Sequence, residues 1–66
     1  MIEKESRDTR KVMARLQREG WIARKGKGDH VNFFKPETAE LITIDTGRKE
    51  IDKNIYRRIK QIAQWN

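Results

Sequence analysis

Residues 30–46, HVNFFKPETAELITIDT, decide the fold of this chain. Both ends of the stretch are rich in β-forming residues, and a polar interruption that begins at Pro36 separates them. Proline cannot donate a ladder hydrogen bond, so it favours the end of a strand. The pattern predicts two strands, over residues 30–35 and 41–46, joined by a turn.

Strand alternation assigns the side chains of these two segments to opposite faces of a sheet. The face predicted to be covered by helices carries four apolar residues: Val31, Phe33, Ile42 and Ile44. The other face is predicted to be open and to carry His30, Asn32, Phe34, Leu41 and Thr43. Exposed apolar side chains such as Phe34 and Leu41 are typical of a surface that binds a partner.

The flanking segments predict one more strand and two helices. WIARK, residues 21–25, is a short candidate strand, and GKG, residues 26–28, has turn composition. Upstream, one helical stripe consists of Thr9, Val12, Met13 and Leu16, with Arg10, Lys11, Arg15 and Arg18 on the other side. Ser6 is the predicted N-cap of this helix and Gly20 its predicted end. Downstream, a second helical stripe consists of Ile51, Ile55, Ile59 and Ile62, with Asp52 as a candidate cap.

These elements predict an α+β fold of order α-β-β-β-α. A three-stranded antiparallel sheet with both helices on one face hides the apolar stripes. Trp21, beside the first helix, is expected in the core, whereas Trp65 packs either on the last helix or on a partner. We expect residues 1–66 to form a single domain, with residues 1–5 frayed.

Composition points to a polyanionic partner. The 66 residues include 16 Lys and Arg against 10 Asp and Glu, a formal charge of +6. Such a balance is typical of nucleic-acid-binding proteins. The absence of cysteine excludes disulfides and thiolate sites, and a single histidine argues against a zinc site, so we expect no metal and no cofactor. No apolar run approaches the roughly 20 residues that cross a bilayer, so no membrane partner and a cytoplasmic location are expected.

His30 is the strongest candidate for chemistry. Imidazole takes or gives a proton near neutral pH, which suits cleavage of RNA by its own 2′-hydroxyl. Cations must then offset charge on the phosphorane-like transition state, and Lys25, Lys27 and Lys35 flank His30 in sequence. Gly28 would allow close approach of the backbone to a phosphate, and Asp29 either holds the imidazole or closes the turn. From the residues alone, a lone histidine beside a turn is more often a solvated surface residue, because one histidine offers only half of an acid–base pair.

Four segments together resemble one family. They are SRDTRKVMARLQREGW, KGKGDH, LITI and KEIDKNIYRRIKQIA, which span Ser6 to Ala63. The chain thereby resembles the HicA toxins, small mRNA interferases of bacterial toxin–antitoxin pairs. The resemblance implies a double-stranded-RNA-binding-like fold, a catalytic histidine at His30 and the family's glycine at Gly28.

The resemblance also implies partners and a binding surface. These are mRNA, a HicB-like antitoxin that covers the active site, and DNA only indirectly through the antitoxin complex. We expect the antitoxin on the open face, at Asn32, Phe34 and Leu41. Two positions depart from the family pattern. Asp29 stands where serine is common, and IDTGRKE replaces a segment that often carries a second histidine, so Arg48 and Lys49 would have to hold RNA there.

Two other functions remain open from the residues alone. A non-catalytic RNA-binding module of the same fold would read A-form shape through a basic surface. A winged DNA-binding domain would use GKG as its wing tip. The winged domain needs two adjacent helices, whereas three strands separate the predicted helices here.

Overall fold

The computed structural model of the protein describes residues 6–65. Its elements are α1 (Thr9–Arg18), β1 (Ile22–Lys25), β2 (His30–Phe34), β3 (Leu41–Asp45) and α2 (Lys53–Ala63). This is the predicted order, with each strand ending within a residue of its predicted limit. The expectation of fraying at residues 1–5 lies outside the described residues.

The three strands form one antiparallel sheet with β2 at its centre. On one side Phe33 is opposite Ala23, and on the other it is opposite Ile42. Phe33 and Ile42 are buried, as is Ile44, and Val31 is half-buried beside them. The predicted division of the sheet into a helix-covered face and an open face is therefore confirmed.

Helix α1 is closed at both ends by residues that the chain supplies locally. The carboxylate of Asp8 accepts a hydrogen bond from the backbone N–H of Lys11 at 3.1 Å, so Asp8 is the N-cap. The prediction of Ser6 as N-cap is wrong, because Ser6 lies two residues before the N-cap and its hydroxyl accepts from the N–H of Asp8. At the other end Gly20 has φ of +96°, and the N–H of Trp21 bonds the carbonyl of Leu16. This is a Schellman cap, and it confirms the predicted role of Gly20.

The start of α1 is tied to the loop that follows β3. The Thr9 hydroxyl donates to the carbonyl of Arg48 at 2.7 Å, and the Thr9 N–H donates to the carbonyl of Lys49 at 2.9 Å. The N–H of Ile51 donates to the carbonyl of Arg7 at 2.8 Å. Thr9 is buried, so its hydroxyl needs this partner. The second half of this loop, from Arg48 to Ile51, is thus held against the start of α1.

Helix α2 buries a different stripe from the predicted one. Asp52 caps it as predicted, accepting from the N–H of Asn54 at 3.0 Å. Ile59 is buried, but Ile55 is 45% exposed and Tyr56 is buried in its place. The predicted stripe began at Ile51, which lies before the cap, where the helical period does not apply.

The core unites both helices with the covered face of the sheet. Its buried members are Val12, Leu16, Trp21, Phe33, Ile42, Ile44, Ile51, Tyr56, Ile59 and Trp65. Both helices therefore pack on the same face, as predicted. Within residues 6–65, neither helix has the length and the apolar character that crossing a membrane requires.

Trp65 joins the end of α2 to α1. Its indole N–H donates to the Glu19 carboxylate at 2.7 Å, and the Arg15 guanidinium lies 4.1 Å from its ring centroid. Arg15 in turn pairs with Glu19 at 3.1 Å. Arg15 was predicted on the solvated side of the first helix, but it is half-buried because it covers this indole.

Candidate functional site

His30 is exposed on the open face, at the first position of the central strand. The hairpin loop before it is closed by two backbone hydrogen bonds, from the N–H of Gly26 to the carbonyl of His30 and from the N–H of His30 to the carbonyl of Lys27. The backbone at His30 is thus held on both sides while its side chain remains accessible. This is the arrangement expected of a group that must meet a large substrate.

The two glycines of this loop serve different purposes. A Cβ built on Gly26 would lie 3.1 Å from the Asn32 amide nitrogen and 3.4 Å from the His30 Cβ, so the missing side chain leaves room beside the imidazole. Gly28 has φ of +64° and no atom within 4 Å of an added Cβ. Gly28 is therefore required by the backbone conformation and leaves that part of the turn open.

The open face consists of three cross-strand rows. The first row pairs His30 with Asp45. The middle row holds Arg24, Asn32 and Thr43, where the Thr43 hydroxyl donates to the Asn32 side-chain oxygen at 2.7 Å. The last row is apolar and holds Ile22, Phe34 and Leu41, of which Ile22 is 46% and Leu41 50% exposed. The face therefore changes from polar at His30 to apolar at its far end.

A hollow of about 320 Å³ lies beside His30 at the end of β3. Its polar lining residues are His30, Asp45, Arg48, Glu50 and Asp52. Among the described residues that line it, Arg48 is the one Lys or Arg, and the Arg48 Nε lies 4.0 Å from a carboxylate oxygen of Asp45. The side chain of Arg48 is 68% exposed, so water weakens this pair and leaves the guanidinium able to meet an anion.

Asp29 joins the hairpin loop to the segment after β3. Its backbone carbonyl accepts two hydrogen bonds from Thr46, at 2.8 Å from the N–H and 2.7 Å from the hydroxyl. Its carboxylate approaches Gly47, where a Cβ would lie 3.0 Å from the Asp29 Oδ2. Of the two roles considered for Asp29, closing the turn is the one that these hydrogen bonds support. They use the backbone carbonyl of Asp29 and not its carboxylate.

The predicted lysines do not form one cluster around His30. Lys27 lies in the hairpin loop next to it, and Lys49 follows Arg48 in the next loop. Lys25 lies opposite Val31, so its Cβ leaves the sheet on the helix side. The Lys35 ammonium lies 5.5 Å from the centroid of the Trp21 ring, five residues and roughly 16 Å along the strand from His30. Of the three lysines that flank His30 in sequence, only Lys27 lies next to it, and Arg48 lines the adjoining hollow.

The three predicted antitoxin-binding residues share the open face but not one neighbourhood. Asn32 is two residues from His30 on the same strand. Phe34 and Leu41 are a cross-strand pair in the apolar row, roughly 13 Å from His30 along β2. A partner that touches all three and also covers His30 must therefore span the whole length of the sheet.

Sequence reasoning missed Arg24, Asp45 and Thr46. The Arg24 guanidinium lies 5.6 Å from the Phe34 ring centroid on the open face, and Asp45 is directly opposite His30. These positions follow from the strand register. The turn after β2 has no signature that fixes the register from sequence alone, so no local signal identified them.

Comparison with known proteins gives one match. The sequence model of a family described as "HicA toxin of bacterial toxin-antitoxin" matches residues 9–65, which is nearly the whole chain. The chain belongs to the HicA toxin family. No curated protein and no solved structure matches it.

The HicA match covers every element of the fold. It begins at Thr9, the first residue of α1, and ends at Trp65, which closes the core. It therefore includes the His30 loop, the Arg48 loop and both helices. This HicA chain is accordingly a toxin-family member of a toxin–antitoxin system, and the resemblance stated from its sequence segments is confirmed.

Proposed function

We propose that this HicA chain is a metal-independent endoribonuclease that cleaves mRNA in the cytoplasm, with His30 as general acid or base. The observation that carries the proposal is the position of His30. It is the only histidine of the chain, and it is exposed at the rigid end of a central strand beside a glycine-lined gap. Family membership supports the toxin role, since the HicA family consists of toxins of toxin–antitoxin pairs.

The proposed reaction needs no group from outside the substrate and the protein. The 2′-oxygen of RNA attacks the adjacent phosphorus, its proton departs, and the bond from phosphorus to the 5′-oxygen breaks as that oxygen gains a proton. The products are a 2′,3′-cyclic phosphate and a 5′-hydroxyl. His30 supplies one of the two proton transfers, and because the chain has no second histidine the other involves water or another group.

Cations near His30 support a phosphate at this place, although the carboxylates of Asp45, Glu50 and Asp52 line the same hollow. Arg48 lines the same hollow, and Lys27 and the open turn at Gly28 lie in the adjoining loop. Cations there would offset the negative charge that develops on phosphorus oxygens. Asp29 and Lys49 border this region, whereas Lys25 and Lys35 would contact RNA only where it extends beyond the hollow.

A HicB-like antitoxin on the open face would inhibit the enzyme by covering His30. Asn32, Phe34 and Leu41 supply the contact surface in this proposal. A protein with a charge of +6 attracts an acidic partner by electrostatic steering. Any contact of the toxin with DNA would then occur only through the antitoxin complex.

The test is the chemistry of the cut ends. Purified protein should cleave single-stranded RNA in the presence of a chelator and leave a 2′,3′-cyclic phosphate or 3′-phosphate. His30→Ala should abolish cleavage while thermal unfolding stays close to that of the parent, because an exposed side chain contributes little to stability.

Three results would count against the assignment. Undiminished cleavage by a folded His30→Ala protein would remove the catalytic role of His30. Strict dependence on Mg²⁺ with 3′-hydroxyl products would indicate a carboxylate–metal mechanism. RNA binding by the parent with no cleavage would favour the non-catalytic RNA-binding module.

A further inference from the structure

A second basic surface lies on the helical side of the molecule. It is a groove of about 960 Å³ along α2. Its basic lining residues, which define the cationic groove, are Arg7, Lys53, Arg57 and Lys60. Glu50 is the one acidic residue among the groove-lining residues of the described chain. The function proposed above makes no use of this groove.

Local structure sets the cations in a row. Lys53, Arg57 and Lys60 follow at i, i+4 and i+7, so they rise along one side of α2 in steps of about 6 Å and 4.5 Å. Arg7 joins the row because its guanidinium donates to the carbonyl of Ile51 at 3.1 Å, just before the helix. This regular line of positive charge is complementary to the regular negative charge of a nucleic-acid backbone.

The floor of the groove favours phosphates over bases. Tyr56 and Trp65 line it, but they are only 6% and 7% exposed. The Trp65 ring is already covered by Arg15, and Tyr56 packs in a tilted arrangement against Trp65. Base stacking needs an open aromatic face, which these rings do not offer. Binding in the groove would therefore be electrostatic and independent of sequence.

The groove adjoins the His30 hollow, because Glu50 lines both. The loop that carries Glu50 also carries Arg48. The backbones of Asp8 and Glu50 form an isolated antiparallel β-bridge, and Thr9 donates hydrogen bonds to the same loop. These contacts hold the groove and the hollow in fixed positions relative to each other. One strand bound at His30 could thus pass Glu50 and enter the cationic groove.

We propose that the cationic groove binds the phosphodiester backbone of single-stranded RNA that extends from the cleavage site at His30. The inference rests on the proposed ribonuclease function and adds the path that the substrate takes. The stepwise spacing of the cations along α2 favours RNA, whose phosphates repeat regularly, over an acidic protein segment.

The experiment measures RNA affinity in the His30→Ala background, so that the probe is not cut. A short fluorescent oligouridylate is titrated at several salt concentrations with the full chain. The groove variant carries Lys53→Gln and Arg57→Gln. The matched control carries Arg10→Gln and Lys11→Gln, which remove the same charge from exposed positions of α1 outside the groove.

The groove variant should bind about tenfold more weakly, with a log–log salt slope shallower by about 1.4, since each phosphate contact of a single strand contributes about 0.7. The control should keep the parental slope. Equal slopes in the two variants would overturn the proposal. A groove variant that loses affinity for oligoglutamate but keeps it for oligouridylate would also overturn it and assign the groove to a protein segment.

A cleavage assay with His30 intact separates this inference from the proposed function. The groove variant should raise KM and leave kcat unchanged, because the groove lies away from the reacting bond. Absence of cleavage by the parent would refute the ribonuclease assignment, whereas the binding result would still decide whether the groove holds RNA.

Discussion

At the scale of single residues, the candidate site depends on Gly26, whose lack of a side chain leaves space next to His30. Gly26 is directly opposite His30 in the hairpin, and an added methyl group would meet His30 and Asn32 at 3.1–3.4 Å. Contacts at this distance force a neighbour to move. The neighbours here are Asn32 and the proposed catalytic residue His30, so we expect a change at Gly26 to affect cleavage more than stability.

Gly26→Ala should lower cleavage about 10- to 100-fold, as expected for a small displacement of a reacting group. Gly20→Ala is the control. It places a methyl at φ of +96° far from His30, so it should cost roughly 1–2 kcal/mol of stability and leave the activity of the folded protein unchanged. Thermal unfolding and initial cleavage rates of both variants test this. Similar activity losses in both would show that the Gly26 effect is only structural.

At the scale of elements, the sequence identifies helices and strands but not all of their contacts. Alternation in HVNFF and LITID predicted Phe33 and Ile42 on the covered face. Side chains two residues apart share a face of a strand, so Phe33 lies with Val31 and Ile42 with Ile44. Helical spacing was less decisive. Ile55 fits the apolar stripe of α2 yet is 45% exposed, since the helix starts after Ile51 and rotates Tyr56 inward.

The candidate site was predictable only in part. His30 and Gly28 were recognisable from local sequence, because a turn that opens into a strand is a local feature. Arg48 was identified, but its place in the His30 hollow depends on hydrogen bonds between α1 and a loop some forty residues away. Lys35 shows the opposite case. It is only five residues from His30 in sequence, but an extended strand places it roughly 16 Å away.

The contact between the two helices gives a prediction at this scale. Trp65→Ala should lower the free energy of unfolding by about 3–5 kcal/mol, because it removes a buried indole from the core. A double-mutant cycle of Trp65→Phe with Glu19→Ala isolates the 2.7 Å hydrogen bond, which should contribute about 1.5–3 kcal/mol as a bond to a charged group. Denaturant unfolding of the four proteins supplies the values. A coupling energy near zero would show that packing alone joins the helices.

At the scale of the whole molecule, the proposed functions are divided between two faces. The open sheet face carries His30 and the apolar row, and the helical side carries the cationic groove. An antitoxin that covers the sheet would thus leave the groove accessible. The open sheet face also carries the aromatic side chain of Phe34, which is half-buried under the Arg24 guanidinium.

Phe34→Asp should therefore weaken binding of a HicB-like antitoxin by at least about 30-fold, as loss of a central aromatic contact typically does. Arg10→Ala, on the exposed side of α1, should have little effect. Affinities at fixed salt, with folding checked by circular dichroism, decide the matter. Leu41→Asp serves as a second probe, since Leu41 is 50% exposed and its change should not disturb the core. If Arg10→Ala loses affinity and both sheet variants retain it, the interface lies on the helices.

The position of β2 at the centre of a three-stranded sheet has a consequence for self-association. Within residues 6–65, β1 and β3 each have one bonded neighbour, so each leaves a strand edge open to another chain. Such edges are templates for aggregation unless they are short or charged. Strand β1 is four residues long and ends in Arg24 and Lys25, so two copies that approached through it would bring like charges together. Mutual repulsion thus disfavours self-association through the β1 edge.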